Sequence, residues 1–256
     1  MARPLLALGG IVLIGVGLAT ALGWGWGSDF ENTGTVSQTI RGVKLEADSG
    51  AVKIRTGSGP VKVHEEVGYH WRSKPDGPFY RVDGDQLVLG SCGTNCTVDF
   101  EVVVPEGVPV TGNVDSGGLD IAGMSTVDVR VDSGHARVED VPGAVKLRMD
   151  SGSIDLRNVG AVQLQSESGS INGDDVHGPV DATSSSGSVE FTLVQANDVK
   201  VHADSGSIDL KVPGGPYRVQ GDSDSGHRDI DVQTDGSARH VLDLTTESGS
   251  VTVRAA

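Results

Sequence analysis

The chain has 256 residues, with 35 acidic side chains against 20 basic ones, a formal net charge of −15 and a pI near 4.7. That balance repels phosphate backbones and anionic lipid headgroups, and it excludes a nucleic-acid-binding role. Aromatic residues make up only 4% while glycine reaches 37, so the core is thin and built from Val, Ile, Leu and Ala, which suits one narrow solenoid better than two ordinary globular domains.

At the N-terminus Met1-Ala2-Arg3-Pro4 precedes an apolar stretch, Leu5 to Leu22, that carries no charge. As a helix these 18 residues reach about 27 Å, enough to cross a hydrocarbon core. Arg3 keeps the N-terminus cytoplasmic, and Trp24 and Trp26 fall where an outer aromatic belt lies. The segment 1–27 is therefore read as a single transmembrane anchor of the plasma membrane with an extracytoplasmic C-terminal domain. The rival reading is a signal peptide cleaved after Ala19-Thr20-Ala21, which yields a secreted protein. Residues 28–42 follow as a polar, turn-rich linker.

From Val43 to Arg254 a short unit recurs. Met149-Asp150-Ser151-Gly152-Ser153-Ile154-Asp155-Leu156 is its clearest copy, with variants at Val131, Ser166, Ser184, Ala203 and Thr246 and outliers at Ala47 and Val114. Gly117, Gly134, Gly152, Gly169 and Gly187 are 17, 18, 17 and 18 residues apart, and Gly206, Gly226 and Gly249 follow at 19, 20 and 23. A period of this length marks a solenoid coil holding two strands of about five or six residues and two corners. Within a coil Val145, Leu147 and Met149 alternate with Lys146, Arg148 and Asp150, and after the corner Ile154 and Leu156 alternate with Asp155 and Arg157, a period of two. The same parity turns the corner serines Ser133, Ser151, Ser168, Ser186 and Ser205 inward. Glycine follows each of them because the corner needs a positive φ. The expectation is an all-β chain, a parallel β-solenoid with about two strands per coil of 17–20 residues, each coil stacked on the one before.

The period breaks at residues 64–105, an insertion holding Tyr69, Trp71, Phe79, Tyr80 and Phe100. Asp83-Gly84-Asp85 reads as a hairpin turn, and Val98, Phe100, Val102 and Val104 as a further strand. The segment is expected to form an antiparallel sheet that caps the first coils and covers an open strand edge. Tyr69, Trp71, Phe79 and Tyr80 are its candidate interaction surface. Cys92 and Cys96, the only cysteines, are too few for a tetrahedral zinc site, and nothing nearby supplies two histidines. In an exported protein they pair as a disulfide across a tight loop.

Catalysis finds no foothold. Serine recurs in every corner as a packing feature, no nucleophile elbow is present, and the seven histidines are scattered. No carboxylate pair is distinguished from its repeats, so neither an enzyme nor a cofactor is expected. The acids Asp115, Asp132, Asp150, Glu167, Asp204 and Glu247 precede the Ser-Gly pairs and stack in one outward column about 4.8 Å apart. Their repulsion is relieved either by Arg130, Arg148 and Lys146 or by a divalent cation. Ser185 interrupts the column and no calcium-coil signature is present, so pairing or solvation is the reading adopted.

The repeated acidic-Ser-Gly-Ser units, the entry Val102-Val103-Val104-Pro105-Glu106-Gly107 and the single N-terminal apolar segment resemble the bacterial "putative adhesin" β-strand-repeat family, over about Val43 to Arg254. The resemblance implies a right-handed parallel β-solenoid at the cell envelope with an adhesion-like role, and it brings no catalytic residues. Two functions follow. One is an envelope-anchored module, residues 43–254, that binds a protein or glycan partner. The other is a structural or sensory accessory of other membrane proteins, with the solenoid as a rigid spacer.

Overall fold

The computed structural model describes residues 13–15, 27–70 and 74–256. The strands in the N-terminal part are β1 (Leu13–Gly15), β2 (Gly27–Val36), β3 (Gly42–Ser49), β4 (Val52–Thr56), β5 (Val61–His70), β6 (Tyr80–Asp83), β7 (Gln86–Leu89) and β8 (Cys96–Val104). The central array is β9 (Val110–Ala122), β10 (Val127–Val141), β11 (Val145–Val159), β12 (Val162–Val176), β13 (Val180–Ser186), β14 (Val189–Leu193), β15 (Val199–Ser205) and β16 (Ile208–Val212). The C-terminal part adds β17 (Arg218–Gln220), β18 (Ser223–Ser225), β19 (Arg228–Asp231), β20 (Val241–Ser248) and β21 (Val251–Ala255). The described residues are thus all-β, and most of their pairings are parallel.

Each coil of β9 to β12 is one long strand bent in the middle. The bend falls at the repeated glycine, where φ is 132° at Gly134, 130° at Gly152 and 128° at Gly169. Only glycine holds such a backbone without strain. The glycines also stack: the carbonyl oxygen of Gly134 lies 1.8 Å from where a Cβ on Gly152 would sit. Gly134 pairs with Gly152, and Gly152 with Gly169, in parallel register. The unit therefore recurs because every coil must turn in the same place to stay bonded to the next.

Inward alternation holds along both arms: Val145, Leu147, Met149, Ile154 and Leu156 are all buried. At the corner it fails. Ser151, Ser168, Ser186 and Ser205 are exposed, and Ser133 is only half-buried. Several successive residues sit on the outer apex of the bend, so a period of two cannot be carried through it. The hydroxyls of Ser49, Ser116 and Ser133 instead donate to backbone carbonyls of a neighbouring coil, Cys96 O at 3.3 Å, Asp48 O at 3.1 Å and Asp115 O at 3.4 Å. The inward place before the corner belongs to Met149, Ser166, Ser184, Ala203 and Thr246. Thr246 Oγ1 donates to Gly206 O at 3.1 Å, while the buried hydroxyls of Ser166 and Ser184 find no partner.

The coils are not stacked in chain order. β3 and β4 lie between the β7–β8 coil and β9. At the far end β20 and β21 lie between the β15–β16 coil and the coil of β17, β18 and β19. The first and the last coil in sequence are therefore both tucked one place inside the stack. This accounts for the widening of the glycine spacing after Gly206, and it leaves Ile230 and Val232 only half-buried at the end of the stack. Those residues belong to the terminal coil, whose short strands are rich in Asp and Arg and offer a blunt edge to other chains.

At the opposite end β8 continues into an antiparallel sheet with β5 and β2, and β6 and β7 form the hairpin around Asp83-Gly84-Asp85-Gln86. This is the capping sheet expected of the insertion. The segment read as a linker differs from expectation, since β2 pairs along its whole length with β5, from Gly27 with His70 to Val36 with Val61. Its polar composition concealed a strand that buries only alternate residues. Within the predicted anchor helix, Leu13–Gly15 runs as a strand antiparallel to Thr33–Thr35, because β2 offers it an open edge. The rest of Leu5 to Leu22, with Trp24 and Trp26, lies outside the described residues. No helix among the described residues is long and apolar enough to cross a membrane.

Candidate functional site

The capping sheet and its hairpin hold most of the aromatic side chains of the described residues. On its inner face Val61, Val63, Glu65 and Val67 alternate along β5, all buried, opposite Phe30, Asn32 and Gly34 of β2. Near the end of the sheet the Phe30 and Tyr69 rings meet edge to face, 6.1 Å apart at 64°. The ammonium of Lys74 sits 4.0 Å above the Phe30 ring, a cation–π contact. Both rings are half-buried and Lys74 is exposed, so the cluster shows an apolar edge and a positive charge to solvent.

Of the four residues proposed from sequence as an interaction surface, Tyr69 belongs to this cluster and Phe79 is half-buried. Tyr80 does not belong. It is 4% exposed, its ring turns into the cap and its hydroxyl abuts Gly34, where no Cβ leaves it room. The position starts β6 and is the one fully buried residue of that strand. Trp71 lies outside the described residues. Phe30 was missed because the segment holding it was read as linker.

Glu65 is the other residue that sequence reasoning passed over. Its signal was there: an acid in the inward phase between Val63 and Val67. It is 1% exposed; Oε1 accepts the backbone N–H of Phe79 at 2.8 Å and Oε2 accepts Asn32 Nδ2 at 3.0 Å. Burial pushes its carboxyl above the ordinary glutamate range, partly offset by those hydrogen bonds. Glu65 thereby clamps β2 and the start of the β6 hairpin to β5. Behind it Cys92 and Cys96 are joined as a disulfide with Cα atoms 5.7 Å apart, which fixes the loop entering β8.

The six corner acids all lie on the outer side of the coils. Arg130 spans two rungs, with Nε donating to Asp132 Oδ1 at 3.0 Å and Nη2 to Asp150 Oδ2 at 2.8 Å. These contacts raise the guanidinium pKa further, through the Asp132 hydrogen bond first and the Asp150 charge next. His202 Nε2 stands 3.1 Å from Asp204 Oδ1. Asp115, Glu167 and Glu247 make no ion pair among the described residues, and no group of three or more His, Cys, Asp or Glu side chains there is placed to hold a metal ion.

One contact has the chemistry of a nucleophile. Ser153 Oγ lies 2.8 Å from His135 Nδ1, and His135 Nε2 is 3.6 Å from Asp155 Oδ2. The His135 and Asp155 side chains are 42% and 37% exposed, so water reaches the whole set. Such a triad gains its activity in a shielded site with an oxyanion pocket. His135 and Ser153 are register partners, and the contact reads as one polar rung among many.

Residues 82–254 match the Toastrack DUF4097 family. No curated protein sequence matches the chain. Among solved structures, one described as a putative adhesin from Bacteroides fragilis superposes with a TM-score of 0.49 at 11% identity, covering 90% of this chain and 97% of that one. Another, described as a putative cell adhesion protein from Clostridium sporogenes, gives a TM-score of 0.26 at 11% identity, covering 90% of this chain and 100% of that one.

Proposed function

The chain belongs to the Toastrack DUF4097 family, and from that premise we propose that it is a non-catalytic interaction module of the cell envelope, a rigid coil stack that presents its capping sheet to a protein or glycan partner. The observation that carries the reading is the Phe30–Tyr69–Lys74 cluster. It is partly exposed, its two rings are carried by the paired strands β2 and β5, and Glu65 ties the same face together, in a chain otherwise poor in aromatics. Rigid amphipathic rings beside a cation are the usual anchors of a binding surface.

In this reading the N-terminal apolar segment holds the chain at the plasma membrane and leaves the coils outside. The full chain then fractionates with membranes and keeps Trp24; a mature N-terminus at Leu22 would instead mean cleavage and secretion. The double substitution Phe30→Ala with Tyr69→Ala tests the surface. Loss of cell attachment with the melting temperature retained supports the cap as the docking face. Unchanged attachment removes the cap from the reading and favours the accessory role, with the coils as spacer.

A further inference from the structure

Across the outer face of the first arms runs a trough of about 540 Å³, within the size range of ligand clefts. It lies along the stack, crossing successive coils rather than following any strand. One side is a column of polar rungs joined by parallel register, in spatial order Lys146, Gln163, Asp181, Lys200, Asp243 and Gln220. The other is a low wall at the second corner, small and apolar at Ala144, Ala161 and Pro179 and continued by Asp198, whose Oδ1 accepts the backbone N–H of Val241 at 2.9 Å. Six rungs at about 4.8 Å give a trough about 24 Å long.

Three features make this column unlike its neighbours. First, the polar groups are unused. Elsewhere on the outer faces rungs pair with one another: Arg130 with Asp150, Arg148 Nε with Gln165 Oε1 at 3.1 Å, Asn172 Nδ2 with Asp155 Oδ1 at 2.9 Å and Lys211 with Glu190 at 3.0 Å. Lys200 stands between Asp181 and Asp243 in the register, yet among the described residues none of the three takes part in an ion pair or a side-chain hydrogen bond. Second, the charges nearly cancel, with Lys146 and Lys200 against Asp181, Asp198 and Asp243. In a chain of net charge −15 this is a locally balanced strip, which neither recruits a polyanion nor selects a polycation. Third, the repeat is set by coil stacking. An extended peptide lying along the trough turns a side chain to the same side only every 6.6 Å or so and falls out of step with the rungs, whereas a β-1,4-linked pyranose chain advances by close to one rung per ring and, its successive rings being flipped, returns the same face in step with every second rung.

We propose that this trough binds a linear neutral glycan, stretched along the stack with about one sugar per coil. The apolar wall takes the C–H face of the rings, and the free amides, carboxylates and ammonium groups take the hydroxyls. The proposal rests on the reading of the domain as a binding module, and it names a ligand class and a second face for it, apart from the cap.

The test is titration of the full chain with neutral oligosaccharides, β-1,4-linked glucose, β-1,4-linked N-acetylglucosamine and α-1,4-linked glucose, each from disaccharide to octasaccharide. At least one series should bind, with affinity rising with length and levelling off near the hexasaccharide. Ala144→Trp, at an exposed position on the wall, should weaken the longest oligomer by about tenfold or more with an unchanged melting temperature. Lys200→Ala with Gln163→Ala should weaken it likewise, and Arg137→Ala on the opposite arm should leave it unchanged. No binding by any series overturns the proposal. So does binding that is indifferent to both groove variants, and so does binding that does not grow beyond the disaccharide. Loss of cell attachment in Phe30→Ala with Tyr69→Ala is independent of all these outcomes, so failure of the trough and failure of the module reading are separate results.

Discussion

Replacing Gly152 by alanine should cripple the stack at its middle. Gly152 holds φ at 130°, a region essentially closed to residues with a Cβ, at about 1–3 kcal/mol. The new Cβ would fall 1.8 Å from Gly134 O, a backbone atom of the neighbouring coil with no freedom to swing aside. Relief requires the two coils to part at the corner, loosening ladder hydrogen bonds of about 0.5–1.5 kcal/mol each. The sum is about 3–5 kcal/mol. At roughly 2–4 °C per kcal/mol for a domain of this size, that lowers the melting temperature by on the order of 10 °C. Circular dichroism melts of wild type, Gly152→Ala and Gly236→Ala measure it. Gly236 has nothing within 4 Å of a built Cβ and needs no positive φ, so its variant should melt with the wild type. A Gly152→Ala protein within a degree or two of the control would refute the glycine ladder as the reason for the repeat.

Four other outcomes follow from the same geometry. Ser184→Ala removes a hydroxyl that is buried without a partner and places alanine between Ser166 and Ala203, which already occupy that column. It should stabilise the fold by about 1 kcal/mol, and a lowered melting temperature would mean the hydroxyl is satisfied. Because burial raises the Glu65 pKa, its contribution is fully present below the ordinary glutamate pKa and is lost as pH rises through the higher folded value. Wild type should therefore lose cap stability relative to Glu65→Gln on going from acidic to neutral pH, read by hydrogen exchange in β5, and the opposite trend would contradict the assignment. Arg130→Ala removes exposed ion pairs and should cost little, less still in high salt. Millimolar calcium should barely move the melting temperature of wild type; a rise of many degrees, abolished by Asp132→Asn with Asp150→Asn, would show a metal ladder in place of the paired corner.

The coil period, the inward phase of both arms, the capping hairpin and the cysteine pairing were all legible in the sequence, because each is set by neighbours within one coil. Stacking order was not. Units as alike as β10, β11 and β12 bond equally well to several partners, and nothing local to Val43 or Val251 says that its coil is inserted one place inside the end of the stack. Tyr80 was misread as surface because its environment comes from Gly34, far away in sequence. Phe30 was lost because β2 buries only alternate residues and its polar ones dominate the composition. The corner serines show the limit of parity: counting by two is safe along a strand and fails wherever the backbone turns an apex.

Attachment of whole cells bearing the full chain, compared with cells lacking it, tests the interaction-module reading most directly. Retention on a host or bacterial surface should depend on the chain and be competed by excess purified protein. Equal retention with and without it, under conditions where the chain is detected outside the membrane, would contradict the account.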